Sequence, residues 1–167
     1  MIILPSPDQV AEKLVVKMAD HAVGDENTVL ATLGLGSCIG IALYDKFSKV
    51  GGLVHIMLPE NPGGKKVVKY ADTGIPFLID EMEGIGAKKR RLKAKIVGGA
   101  GMFKSESGDS VMKIGQRNIE AVKLTLKDIG IKIIGSDVGK DYGRSMYFHV
   151  DNGQVEVKSF SRDLITI

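Results

Sequence analysis

Cys38-Ile39-Gly40-Ile41-Ala42-Leu43-Tyr44, then Asp45-Lys46-Phe47-Ser48-Lys49, then Val50-Gly51-Gly52-Leu53-Val54-His55-Ile56-Met57, reads as two strands joined by a hairpin loop. Both arms are largely aliphatic runs of strand length, and the polar interval between them suits a hairpin connection. Turning the chain about Phe47 and Ser48 sets Cys38 opposite Met57 and Gly40 opposite His55. Cys38 and His55 then share one face as diagonal neighbours, with Cβ atoms about 7 Å apart. A slip of one residue would send them to opposite faces, so the register decides whether they meet.

On either side of this hairpin, residues 14–18 and 28–33 are short aliphatic or β-branched runs between polar and glycine positions, and residues 94–97, 131–134, 145–150 and 155–159 have the same character. All read as strands. Ile75, Leu78, Ile79 and Met82 recur at helical spacing between Thr73 and Gly84, with Asp72 or Thr73 as N-cap, Pro76 in the first turn and Gly84 as the stop. Ile119, Val122, Leu126 and Ile129 mark a second helix over 116–129, closed by Gly130. Hairpins mixed with helix crossovers predict an α/β layered sandwich of mixed sheets covered by helices. No repeat, linker or low-complexity stretch divides the 167 residues, so the chain reads as a single domain over 1–167.

Composition removes several classes of function. A net charge of +3 with 5% aromatic residues and no Trp offers neither the charge nor the stacking platforms of a nucleic-acid binder. The basic run Lys88-Lys89-Arg90-Arg91-Leu92-Lys93-Ala94-Lys95 reads first as a solvated connection between helix and strand, and second as a patch for an acidic partner. No apolar run approaches membrane-span length, and Met1-Ile2-Ile3-Leu4-Pro5 lacks the charged start of a secretion signal, so a cytoplasmic location is expected. Three scattered histidines (His21, His55, His149) and one cysteine do not make a structural zinc site. Gly34-Leu35-Gly36 misses the spacing of a dinucleotide loop, because the next glycine is Gly40.

Cys38 is the only cysteine, which rules out an intrachain disulfide. It follows Leu33-Gly34-Leu35-Gly36-Ser37, where two glycines free the backbone to turn and to aim amide groups at an oxyanion. Alone, such a thiol is more simply a buried free cysteine, and His55, flanked by Val54 and Ile56, more simply a satisfied core histidine. Their placement on one face is what supports a nucleophile and its acid/base partner. An imidazole beside the thiol would favour thiolate by ion pairing and could protonate a poor leaving group such as ammonia. A third group would fix the tautomer, and Thr28, Thr32 and Ser37 are all within plausible reach.

At Thr32-Leu33-Gly34-Leu35-Gly36-Ser37-Cys38, Leu43-Tyr44-Asp45 and Gly51-Gly52-Leu53-Val54-His55-Ile56-Met57-Leu58-Pro59 the sequence resembles the chemoreceptor glutamine deamidase family, CheD. The resemblance continues through Lys69-Tyr70-Ala71-Asp72, Gly98-Gly99-Ala100 with Met102-Phe103, Ile114-Gly115-Gln116-Arg117-Asn118 and Asp137-Val138-Gly139-Lys140-Asp141-Tyr142-Gly143-Arg144. Only the first dozen residues and the last few fall outside it. It implies Cys38 as nucleophile, His55 as general acid/base and Thr32 as the hydroxyl that orients the imidazole. It also implies a fold like the catalytic domains of deamidating toxins and a reaction needing no cofactor or metal.

By the same resemblance the substrates are glutamines on the cytoplasmic helices of chemotaxis receptors, with methylated glutamates as a second substrate, and the CheC phosphatase is a partner. The rival readings are a non-catalytic regulator of CheC and a cysteine peptidase or acyltransferase. Arg117, Asn118 and Arg144 stand either as receptor contacts or as buried structural groups, and residues 98–103 and 139–144 as loops that shape the site.

Overall fold

The structure, a computed structural model, describes residues 10–101 and 110–167. The segment Met1-Ile2-Ile3-Leu4-Pro5 and the pair Met102-Phe103 lie outside the described residues. In chain order the elements are β1 (Glu12–Val15), β2 (Asp20–Gly24), β3 (Thr28–Leu35), β4 (Ile39–Asp45), β5 (Val50–Ile56), α1 (Ala71–Glu83), β6 (Lys93–Gly98), α2 (Ser110–Ile129), β7 (Lys132–Val138), β8 (Arg144–His149), β9 (Val155–Lys158) and β10 (Ile165–Thr166).

The strands form two five-stranded sheets, ordered β1-β3-β8-β9-β10 and β2-β5-β4-β6-β7. Each is mixed: β1 runs parallel to β3 and β6 parallel to β7, while every other pair is antiparallel. A parallel pair needs a long crossover, and α2 supplies the one between β6 and β7.

Strand periodicity builds the layers. On β4, Ile39, Ile41 and Leu43 join a core with Ile75, Leu78 and Met82 of α1 and Ile119, Val122 and Leu126 of α2. Ala42 and Tyr44, one residue out of phase, point the other way, to Leu30 of β3 and Met146 and Phe148 of β8. The fold is therefore the expected layered α/β sandwich of mixed sheets, but the helices cover only one of the two sheets. The second sheet covers the opposite face.

The element boundaries differ from the sequence reading for local reasons. The strand expected over 14–18 stops at Val15, because Val16 turns into the core between the sheets and its N–H donates to the Ala31 carbonyl at 2.7 Å. β2, half-buried and lacking an aliphatic run, and the two-residue β10 were not foreseen.

Helix α1 begins at Ala71 without a side-chain cap. The carboxylate of Asp72 instead accepts the Asn61 N–H (2.9 Å), and the Thr73 hydroxyl donates to the Val67 carbonyl (2.6 Å). Pro76 thus falls in the second turn. Gly84 stays right-handed (φ −61°), and the left-handed turn lies at Gly86 (φ 110°). Helix α2 starts at Ser110 rather than Gln116, with Gly115 inside it. A Cβ on Gly115 would stand 2.6 Å from the carbonyl oxygens of Gly99 and Ala100, so the helix packs against that loop only through glycine.

Candidate active site

The hairpin has the register that brings Cys38 and His55 to one face: Ile39 pairs with Ile56 and Gly40 with His55. Cys38 lies one residue before the first pair of this ladder, half-buried at the edge of the core between the sheets. A Cβ on Gly40 would collide with Met146 and press on Thr32, so this face looks toward the other sheet. His55 faces the same way and is 1% exposed.

Thr32 approaches from that other sheet. Its strand β3 pairs Thr32 with Met146 and Leu35 with Arg144, an offset that inserts one extra residue at a bulge. Gly34, with φ 68°, absorbs the bulge. Thr32 and Leu35 consequently both point inward, while Leu33 is exposed.

The Thr32 hydroxyl oxygen lies 2.7 Å from His55 Nδ1 and 2.6 Å from the Val16 carbonyl oxygen. A hydroxyl has one proton, and the carbonyl can only accept, so Thr32 donates to Val16 and accepts from Nδ1–H. This places the ring proton on Nδ1 and a lone pair on Nε2. Nε2 is buried and has no partner among the described residues. Of the other two hydroxyls, Thr28 lies at the far end of β3 against Asp25, and Ser37 meets the site through its backbone.

Burial acts on both members of the pair. It raises the Cys38 thiol above its ordinary value, an effect its own backbone N–H opposes, and it lowers His55 to about 4. At neutral pH both groups are uncharged, which corrects the expectation of a standing thiolate and imidazolium.

The backbone before Cys38 is held at three successive carbonyls. Ala100 N–H donates to Gly36 (2.8 Å), the Asn118 side-chain amide to Ser37 (2.9 Å), and Gly99 N–H to Cys38 (2.9 Å). Gly98 (φ 118°) allows this approach, since any Cβ there would strike the Cys38 carbonyl oxygen. Gly139 N–H donates to the Gly98 carbonyl (2.9 Å). Arg144, 2% exposed, holds the 137–144 segment through Asp137 (3.0 Å) and the Gly139 carbonyl (2.8 Å).

Asn118 and Arg144 are thus buried and internally bonded, whereas Arg117 is exposed. The sequence left Asn118 open between a receptor contact and a buried structural group, and the structure gives the second. The available signal was its phase with Val122 and Leu126, which makes it a polar residue in an apolar helical stripe.

The basic run divides similarly. Arg91 forms an ion pair with fully buried Asp45 (2.9 Å), and the Lys95 ammonium donates to the backbone oxygens of Gly153 and Ile167, while Lys88, Lys89, Arg90 and Lys93 are exposed. Burial alone would raise the Asp45 carboxyl, but Arg91 and backbone N–H groups outweigh it and hold it well below the carboxylate range. A cavity of about 870 Å3 opens at this end of β4, lined by Tyr44, Phe47, Lys93 and Phe148 among others, and by none of Thr32, Cys38 or His55. No helix among the described residues is long and apolar enough to cross a membrane.

Comparison with known proteins gives four findings. A family model described as CheD chemotactic sensory transduction matches residues 57–159. A protein of Caldanaerobacter subterraneus subsp. tengcongensis named probable chemoreceptor glutamine deamidase CheD is 47% identical over 147 residues, covering 86% of this chain and 91% of that one. Its Clostridium botulinum counterpart, of the same name, is 46% identical over 151 residues, covering 89% and 93%. A solved Neisseria meningitidis protein of family DUF152 aligns with a TM-score of 0.48 at 10% identity, over 78% of this chain and 63% of its own length.

Proposed function

The chain belongs to the CheD family, and on that footing we propose that it is a chemoreceptor glutamine deamidase, with Cys38 as nucleophile, His55 as general acid/base and Thr32 as the group that orients the imidazole. The relatives that support this reading share nearly half of their residues with the chain over most of its length. The observation that carries the site is the His55 tautomer: Nδ1–H is held by Thr32, and the free Nε2 lies on the face that carries the chain's only thiol.

His55 Nε2 takes the Cys38 proton as sulfur bonds to the side-chain carbonyl carbon of the glutamine, producing a tetrahedral oxyanion. The oxyanion collapses as Nε2–H protonates the departing nitrogen, releasing ammonia and leaving a thioester. Water then attacks the thioester, giving a proton to Nε2. The second tetrahedral species expels sulfur, which recovers that proton, and glutamate remains. No cofactor enters these steps.

A glutamate methyl ester fits the same sequence with methanol as the leaving group. The whole chain acts as one deamidase domain on the cytoplasmic helices of receptors, and association with CheC is a further part of the proposal.

Wild type and Cys38→Ala, each incubated with a receptor cytoplasmic fragment, separate the readings when the products are mapped by peptide mass. Glutamine-to-glutamate conversion by wild type alone is the expected result. Equal conversion by both removes Cys38 as nucleophile. Unmodified glutamines with stimulated CheC phosphatase would establish the binding role instead, and backbone cleavage would establish a peptidase.

A further inference from the structure

Beyond the last β4–β5 pair, Ile39 with Ile56, the two segments carrying Cys38 and His55 are bridged by a side chain from a helix. The Asn118 amide nitrogen donates to the Ser37 carbonyl (2.9 Å) and to the Met57 carbonyl (3.0 Å). Only the nitrogen end of the amide can face two acceptors, so its orientation is fixed chemically. The cost is that Oδ1 is buried with no partner among the described residues. A polar side chain kept in an apolar stripe with one end unsatisfied points to a role other than stability.

That role follows from peptide geometry. The Ser37–Cys38 peptide is planar and trans, so its carbonyl and its N–H point in opposite directions. With the carbonyl drawn to α2 by Asn118, the Cys38 N–H is turned away from the helix. It donates to no carbonyl among the described residues, and it lies near enough to its own sulfur to favour the thiolate.

We propose that the Cys38 backbone N–H is the oxyanion donor of this site and that Asn118 is the positioning residue that aims it, by holding the Ser37 carbonyl. The inference rests on the deamidase reading and deepens it. An oxyanion formed on a carbonyl carbon bonded to Sγ lies within reach of the nucleophile's own amide, so the donor is in place before the charge develops.

Two reactions of one thiol test this. Alkylation by iodoacetamide needs the thiolate but develops no oxyanion, whereas deamidation needs both. For Asn118→Ala and Asn118→Asp, kcat on the receptor fragment should fall about 100-fold or more. KM should stay near wild type, and the alkylation rate should fall far less than kcat, by only what the displaced N–H lends the thiolate. Unchanged kcat overturns the proposal, and so does an equal fall in kcat and in alkylation rate, which would make Asn118 a support for the dyad alone.

A test without variants guards against misfolding. In 15N-labelled wild type, a receptor peptide carrying an aldehyde in place of the glutamine amide forms a thiohemiacetal on Cys38, and the Cys38 amide proton should move downfield. An adduct seen by mass with that proton unmoved overturns the proposal. Wild type that forms the adduct and shifts the amide, yet converts no glutamine, would sink the deamidase reading while leaving the amide donor in place.

Discussion

Thr32 and His55 belong to different sheets and meet at 2.7 Å between Oγ1 and Nδ1, in a place that is 0% and 1% exposed. The contact joins the layers and fixes the proton on the imidazole at once, so stability and chemistry are coupled at this hydroxyl.

Thr32→Val keeps the shape and removes the hydroxyl. It leaves the Nδ1–H and the Val16 carbonyl buried without their partner, at a cost of about 1–3 kcal/mol. Turnover should fall about 10- to 100-fold, since the ring loses its tautomer preference but keeps its base. Thr32→Ser should recover most of both losses. Urea denaturation and kcat on the same samples check this, and a Ser variant as impaired as Val would contradict it.

With His55 as the proposed acid/base, its lowered value should set the acid limb of activity. Catalysis needs the neutral ring, so kcat/KM should hold from neutral pH down to about 5 and fall as the ring protonates near 4. An acid limb near 6.5 would show that substrate does not meet the buried, neutral histidine described here.

The same shift makes stability depend on pH. The unfolded chain protonates His55 near its ordinary 6.5, the folded chain only near 4, so the folded state is favoured above 6.5 and loses that advantage as pH falls toward 4. The loss amounts to about 3 kcal/mol. Asp45, whose carboxyl is held below its ordinary 3.8, adds its own loss only below that value. Thermal melts from pH 7 to 4.5 should therefore show a steeper decline for wild type than for His55→Gln, and parallel curves would refute the assignment.

Gly98→Ala should act at a distance of one carbonyl. A methyl group at φ 118° is strained on its own account, by about 1–3 kcal/mol, and it also strikes the Cys38 carbonyl. Iodoacetamide labelling of Cys38 and kcat should both change. Wild-type kinetics in a merely less stable protein would show that the nucleophile loop does not depend on this contact.

Asp45→Ala supplies the converse. It removes the partner of Arg91 and the acceptor of the Lys88, Phe47 and Ser48 N–H groups, and should cost about 3 kcal/mol. Asp45 ends β4 at the opposite end from Cys38, so kcat below the melting range should stay within twofold of wild type. A large kcat loss would mean that the two ends of the strand are coupled.

The hairpin was legible because two aliphatic runs of strand length flank a polar loop, and turning the chain about Phe47 and Ser48 sets Gly40 opposite His55, the pair found in the structure. The helical stripes were legible for the same kind of reason. Helix starts were not, because Asp72 and Thr73 spend their side chains on Asn61 and Val67 rather than on a cap, and because Gly115 is a packing glycine inside α2.

At the site, spacing alone left Thr28, Thr32 and Ser37 open. The choice depends on a bulge at Gly34 and on a sheet-to-sheet contact, neither of which is local in sequence. The charge state of the dyad was hidden for a further reason: burial is a property of the folded layers, and it reversed the expected ion pair.

If glutamine is converted through a thioester on Cys38, acid quenching during turnover traps it. Wild type mixed with a glutamine-bearing receptor fragment, quenched during turnover and digested, should yield the Cys38 peptide joined to a receptor peptide by a hydroxylamine-sensitive bond. The His55→Ala protein should yield none. Glutamate appearing in the receptor fragment with Cys38 unmodified at every quench time would contradict it.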